Sequence, residues 1–351
     1  LARGKGFIDT DVLTEAKKRL HHIYDIFDSI AVMFSGGKDS LAVLHLVREV
    51  ATERGLTKPI NVVFRDEELI PDEVVNFVDE YRRMDWINMT WFTVPLVSNK
   101  FVLGRVFTYV QWDPNRRWVR PKPAWGENAE DPSMVFDQYS MDAYTARRFK
   151  GKVAFLTGLR AAESLMRFHA CARKLNENYI NGVTSREAKN VSLCKPIFDW
   201  QENDVFRYFY DRGIKYCPIY DNQLYAGNSM RVSTPLHSES SKKFHFVRAQ
   251  TPDFYNRVID VFPEMLAHER YYHDLDFDAV VAEYGKSYEG VRCWIEENMT
   301  DPDQLELALK RLDDAINLAK RAPQSYPPDY LIGVFRAGGF KRPIMPKSTR
   351  K

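Results

Sequence analysis

Four cysteines in 351 residues are too few and too scattered to organise a fold. Cys171, Cys194, Cys217 and Cys293 include no pair at the spacing of a dithiol redox motif or a zinc ribbon. Wide spacing in a long chain reads as reduced thiols, which points to the cytoplasm. No run of about 18 apolar residues occurs, so no membrane-spanning helix is expected. The first residues, Leu1-Ala2-Arg3-Gly4-Lys5-Gly6, lack the apolar centre of a secretory signal. Neither charge sign dominates: the formal net charge is +2, which by itself implies no polyanionic partner. There is no internal repeat. What is present, 44% hydrophobic and 28% charged residues, lies in the soluble globular range and supplies a core without disulfides.

Apolar residues Leu13, Ala16, Leu20, Ile23 and Ile26 recur at helical spacing, predicting a helix over 9–28 capped by Asp9 or Thr10. Short β-rich runs follow at 30–34, 60–64, 91–94 and 153–157, separated by helical patterns at 41–50 and 74–81. That alternation predicts an α/β fold: a doubly wound, mainly parallel sheet with helices on both faces. Residues 111–125 interleave Trp112, Trp118 and Trp125 with Arg116, Arg117, Arg120 and Lys122 and read as an ordered loop insertion. Beyond 238 the strand signal fades, and helices are expected over 254–265, 277–284, 288–298 and 302–320. The boundaries expected are an α/β domain over 1–235, a helical region over 236–335, and a basic, mobile tail over 336–351.

The chemistry is expected at Ser35-Gly36-Gly37-Lys38-Asp39-Ser40. Phosphate oxygens need several donors converging on a small volume. Two glycines let the backbone approach closely, and the following helix offers free N–H groups and a favourable dipole. Ser35 and Ser40 add hydroxyls and Lys38 adds positive charge. Asp39 would repel phosphate, so it is assigned to magnesium or to holding the loop. The alternative is an ordinary turn; the strand before and buried helix after favour phosphate. The spacing differs from both the Walker loop and the dinucleotide glycine pattern.

Other constellations are more ambiguous. Arg160, Glu163 and Arg167 lie at helical spacing after a strand, suiting either forked recognition of phosphate or sulfate or a surface ion-pair ladder. Asp66, Glu67 and Glu68 follow the second β run, where strand ends form the ligand crevice of a doubly wound sheet. Asp66 is the candidate there for ribose hydroxyls or magnesium, against a solvated turn. The Trp/Arg segment suits base stacking and phosphate pairing, with Arg116, Arg117, Trp118 and Arg120 as candidate substrate-binding residues, or else a packed lid. His169 and Cys171 lack a partner set and read as structural.

The hexapeptide resembles the pyrophosphate loop (PP-loop) of the N-type ATP pyrophosphatases, including the phosphoadenosine phosphosulfate (PAPS) reductases. Further likenesses follow in order: residues 158–164 with Arg167, the Lys195-Pro196-Ile197-Phe198-Asp199-Trp200 element with Asp204-Val205, and Cys217-Pro218-Ile219-Tyr220-Asp221. Trp112-Asp113, Trp118-Val119-Arg120-Pro121 and Met230-Arg231-Val232-Ser233 are similar to the immunoglobulin-binding-regulator type found on phages and mobile elements. The resemblance implies an adenine nucleotide alpha hydrolase-like fold and ATP or PAPS with Mg2+ as cofactors. It implies nucleotide-binding roles for Gly158, Arg160 and Arg167, a substrate role for Arg231, and catalytic charge from Lys38 and Arg160. It also implies a ParB-like protein partner and a setting of nucleic-acid modification or regulation; homo-oligomer formation is left open. The reductases carry a nucleophilic cysteine in a Glu-Cys-Gly-Leu-His element that this chain lacks. The reading is therefore an ATP pyrophosphatase or adenylyltransferase. The alternatives are a nucleotide-sensing regulator, a nucleic-acid-binding module, and a PAPS reductase- or ATP sulfurylase-like enzyme.

Overall fold

The computed structural model describes residues 8–172, 178–183, 186–227, 232–272 and 277–347. The chain divides into two compact units, Leu1–Val97 with Val110–Val232, and Ser98–Tyr109 with Ser233–Lys351.

In the first unit, α1 (Val12–Ile26) precedes β1 (Ser29–Met33), α2 (Lys38–Glu53), β2 (Ile60–Arg65), α3 (Asp72–Arg82) and β3 (Ile87–Phe92). The hairpin β4 (Leu96–Val102) and β5 (Arg105–Gln111) carries the chain into the second unit and back. After residues 112–137 come α4 (Gln138–Ala146), β6 (Val153–Leu156), a 3-10 turn (Ala161–Glu163) and α5 (Leu165–Ala172). Then follow β7 (Ile180–Gly182), β8 (Val191–Cys194), α6 (Glu202–Arg212) and α7 (Ile219–Tyr225).

The sheet runs β3-β2-β1-β6-β8-β7. Its first five strands are parallel and β7 is antiparallel to β8. Because strand side chains alternate between faces, each strand feeds two cores. Val32, Val62, Ala154 and Leu156 pack with α1, α2, α3 and α6 through Leu20, Leu44, Val78 and Phe209. Their neighbours Ala31, Val63, Val153 and Phe155 pack on the other face with Met141 and Tyr144 of α4. The expected doubly wound, mainly parallel sheet is present. β1 sits between β2 and β6, so the loops leaving β1 and β6 open into one crevice at their carboxyl ends.

The second unit is helical apart from its share of the hairpin: α8 (Ser238–Ser241), α9 (Phe244–Gln250), α10 (Pro252–Val261), α11 (Glu264–Tyr271), α12 (Phe277–Tyr284), α13 (Tyr288–Asn298), α14 (Pro302–Ala319) and α15 (Pro328–Arg336). Val291, Ile295, Leu312, Leu331 and Phe335 form its core. Among the described residues no helix is long and apolar enough to cross a membrane.

Several local expectations need correction. Asp11, not Asp9 or Thr10, caps α1, accepting the Thr14 N–H at 2.9 Å. The helix expected over 254–265 is two helices, because Pro263 has no N–H and disfavours helical backbone at Phe262. The segment from 336 is packed as far as Lys347: Phe340 and Ile344 are buried, and the Lys347 N–H donates to the Ser325 carbonyl at 2.7 Å. Gly338, at φ +70°, turns the chain so that Phe340 enters the core beside Phe335.

A packed segment makes a measurable prediction. Phe340→Ala should destabilise the protein by about 3–5 kcal/mol, the usual cost of deleting a buried phenyl ring, seen as a lower calorimetric melting temperature. A mobile tail would leave the melting curve unchanged.

Candidate functional site

The chain leaves β1 through a last rung in which the Phe34 N–H donates to the Val63 carbonyl at 2.9 Å. It then turns at Gly36, whose φ of +74° suits glycine. A Cβ there would also meet Val78 and Val74 of α3 at 2.8 and 2.9 Å. Ser40, in the first turn of α2, closes the loop: its Oγ donates to the Gly37 carbonyl at 3.0 Å and accepts the Ser35 N–H at 3.2 Å. The Gly37 N–H donates to Ser35 Oγ at 3.3 Å. The loop is therefore already shaped at a helix N-terminus, the place where backbone donors and the helix dipole favour an anion.

Lys38 is 4% exposed. Its Nζ lies 3.3 Å from Asp39 Oδ2 and 3.3 Å from Glu202 Oε2, and 5.5 Å from the centre of the Tyr220 ring. The other Asp39 oxygen accepts Arg160 Nε at 2.6 Å. Arg160 is equally buried and also lies near Glu163, which Arg167 pairs with in turn. Gly158 explains the proximity: a Cβ on it would stand 2.4 Å from the Asp39 carbonyl carbon and 2.5 Å from the Ser40 nitrogen. The segment after β6 thus lies directly on the first turn of α2.

Lys38, Asp39, Arg160 and Gly158, predicted from two separate stretches, are brought together. Arg160 and Arg167 do not share a helix, however. Arg160 precedes a single 3-10 turn, and Ser164 is extended before α5 begins. Asp39 lies between Lys38 and Arg160 and pairs with both. Glu202 and Tyr220 carried no assigned role in the sequence. They arrive from α6 and α7; Tyr220 lies within the 217–221 likeness, whereas no local pattern marks Glu202.

The acids after β2 do something other than expected. Asp66 is 3% exposed and Glu68 is fully buried. Asp66 accepts the Trp91 indole N–H at 2.9 Å, the Glu68 N–H at 3.0 Å and Nη2 of Arg120. Glu68 accepts the Trp112 N–H at 2.6 Å, the Val119 N–H at 2.9 Å, and Arg116 through Nη1 at 2.9 Å and Nη2 at 2.6 Å. The Trp112 indole donates to the Asp66 carbonyl at 2.7 Å. Arg116 therefore pairs with Glu68, and Arg120 with Asp66 inside the protein. Trp118 donates to the Asp113 carbonyl at 2.8 Å and lies beneath Lys122. Arg117 is exposed, and Arg231 lies outside the described residues. Arg116 and Arg120 are thus engaged by carboxylates of the chain itself, while Arg117 stays open to solvent.

Glu67, between the two buried acids, has its carboxyl pushed up to about 7, first by burial and then by Asp66, with Arg65 opposing. Part of its surface remains open to solvent, which moderates that shift. Burial raises the thiols of Cys171 and Cys217, the latter to about 11.

Residues 29–101 and 119–294 match the phosphoadenosine phosphosulfate reductase domain family. The Escherichia coli (strain K12) protein YbdN, described as uncharacterized, is 27% identical over 258 residues, covering 69% of this chain and 63% of that protein. The chain thus spans less than two thirds of that relative's length. Candida glabrata FMN adenylyltransferase in complex with FMN and the ATP analog AMPCPP is 14% identical, over 60% of this chain and 58% of that chain, with a TM-score of 0.40. The phosphate complex of PAPS reductase from Candida auris is 15% identical, over 66% of this chain and 100% of that chain, with a TM-score of 0.35.

Two outcomes follow from this geometry. Gly158→Ala should cost about 1–3 kcal/mol, as overpacking does, measured by urea unfolding. Gly182→Ala, where nothing stands within 4 Å of the added Cβ, is the control and should cost less. Glu67 holds its proton more tightly folded than unfolded, so its contribution to stability is present below the ordinary pKa of 4.5 and is lost as pH rises through about 7. Melting temperatures across that window should fall less steeply in Glu67→Gln than in wild type.

Proposed function

The chain belongs to the phosphoadenosine phosphosulfate reductase domain family, and on that premise we propose that it binds ATP on the loop at residues 35–40 and transfers its adenylyl group. An acceptor oxyanion attacks the α-phosphorus. The bond from that phosphorus to the β-phosphate oxygen breaks, and pyrophosphate leaves with the electron pair. One observation carries this reading: two buried cations, Lys38 and Arg160, are joined through Asp39 at a shaped helix N-terminus.

Each part has a task. The backbone N–H groups of the loop and first turn of α2 take the β- and γ-phosphate oxygens. Lys38 and Arg160 neutralise charge that grows on the leaving pyrophosphate, which preorganised donors do without reorganising during the step. Phosphate oxygens compete with Asp39 and Glu202 for Lys38, so binding redistributes contacts already in place. The Asp39 carboxylate is paired with Arg160 and Lys38, so a magnesium ion would be held mainly by the nucleotide phosphates and water. No step is therefore assigned to a metal ligand of the chain. Burial raises the thiols of Cys171 and Cys217, which disfavours a nucleophilic thiolate at those two positions. Nucleic acid and a ParB-like protein, implied by the resemblance, are the first acceptor and partner to try.

The test is pyrophosphate release from ATP with magnesium, with and without nucleic acid, in wild type and Lys38→Ala. Release should fall by about 100-fold or more in the variant, the scale of losing a preorganised charge contact. Tight ATP binding by calorimetry without release under any condition would replace the enzyme with a nucleotide sensor.

A further inference from the structure

Tyr220 stands 182 positions from Lys38 in the chain, yet its hydroxyl lies on the loop. α7 holds it there: Ile219 beside it is buried, and Tyr220 itself is 2% exposed. Its oxygen accepts the Lys38 backbone N–H at 2.8 Å. A Cβ on Gly37 would stand 3.2 Å from the same oxygen, so the second glycine of the motif leaves room for a phenol as well as for a ligand.

A phenol has one hydrogen to donate and lone pairs to accept with. The Lys38 N–H occupies the accepting side. Among the described residues no acceptor receives the hydrogen. The Asp39 and Glu202 carboxylates act on the phenol through space, and neither accepts a hydrogen bond from it. Burial, the largest influence, raises the phenol's pKa and keeps that hydrogen in place. A buried hydroxyl with an unused hydrogen beside a helix N-terminus is suited to an incoming anion.

We propose that Tyr220 is a phosphate-binding residue of this site, donating its hydroxyl hydrogen to a pyrophosphate oxygen while its oxygen continues to accept the Lys38 N–H. The phenol thereby extends the row of backbone donors by one side-chain donor, and its ring supports the ammonium of Lys38 from beneath. This rests on the loop being a phosphate site, as proposed above.

The experiment is calorimetric titration of the full chain with inorganic pyrophosphate, using wild type, Tyr220→Phe and Lys38→Ala, with melting temperatures recorded for each. The Phe variant keeps the ring and removes only the hydroxyl. It should bind about 10- to 100-fold more weakly, the loss expected for a hydrogen bond to a charged acceptor, with its melting curve still cooperative. Binding equal to or tighter than wild type in a folded Tyr220→Phe overturns the assignment and leaves the loop reading intact. Should that variant not fold, 3-fluorotyrosine at 220 decides: a more acidic phenol of nearly the same size should bind pyrophosphate more tightly, and unchanged or weaker binding overturns the proposal. A folded wild type that binds no pyrophosphate removes the phosphate site itself, and Tyr220 with it.

Discussion

The Asp39 carboxylate, between Arg160 and Lys38, is the contact on which the candidate site depends. Each cation is almost wholly buried, and a buried charge without its counter-ion costs several kcal/mol. Asp39 supplies that counter-ion to both, through Arg160 Nε at 2.6 Å and Lys38 Nζ at 3.3 Å. It thereby ties the start of α2 to the segment that leaves β6. The sheet makes the tie possible, since β1 and β6 are neighbours in register from Ser29 opposite Val153 to Val32 opposite Leu156. Gly158 completes it by letting two backbones touch where any side chain would hold them apart.

The same electrostatic rule acts one strand away with a different result. Asp66 and Glu68 are buried carboxylates, and Arg120, Arg116 and the Trp91 and Trp112 N–H groups satisfy them. A segment with the composition of a nucleic-acid binder is thus folded onto the end of β2. Glu68 and Trp112 both adopt positive φ, at 54° and 52°, a conformation that persists in non-glycine residues when surrounding contacts over-determine it. Arginine and tryptophan interleaving records which side chains are present; whether they face a ligand or each other depends on where the acids lie.

The elements legible in the sequence were those with periodic burial. α2, α3, β1, β2 and β6 each pack a full face or both faces, so their apolar pattern is strong. β7 has no buried residue and β8 is only partly buried at its two central positions, so neither carries the continuous apolar run that marked β6. The hairpin turns at Leu103-Gly104, both at positive φ, and leucine there gives no turn signal. The tail was misjudged for a related reason: Gly, Pro and Lys around Phe340 and Ile344 read as mobile, whereas two apolar residues suffice to anchor it in a core built from distant helices.

By itself the sequence determined the α/β class, the glycine loop between β1 and α2, and the candidacy of Gly158, Arg160 and Arg167 for the same site. Those features are local: glycine freedom, strand and helix periodicity, and the order of short motifs. The tertiary structure decided the rest. It set Asp39 against Arg160 rather than leaving it open, turned Arg116 and Arg120 inward onto Glu68 and Asp66, and brought Glu202 and Tyr220 to Lys38. These outcomes depend on which carboxylate or phenol lies within hydrogen-bond reach of each cation or N–H. That distance is fixed by strand order and helix packing, which no stretch of sequence carries alone.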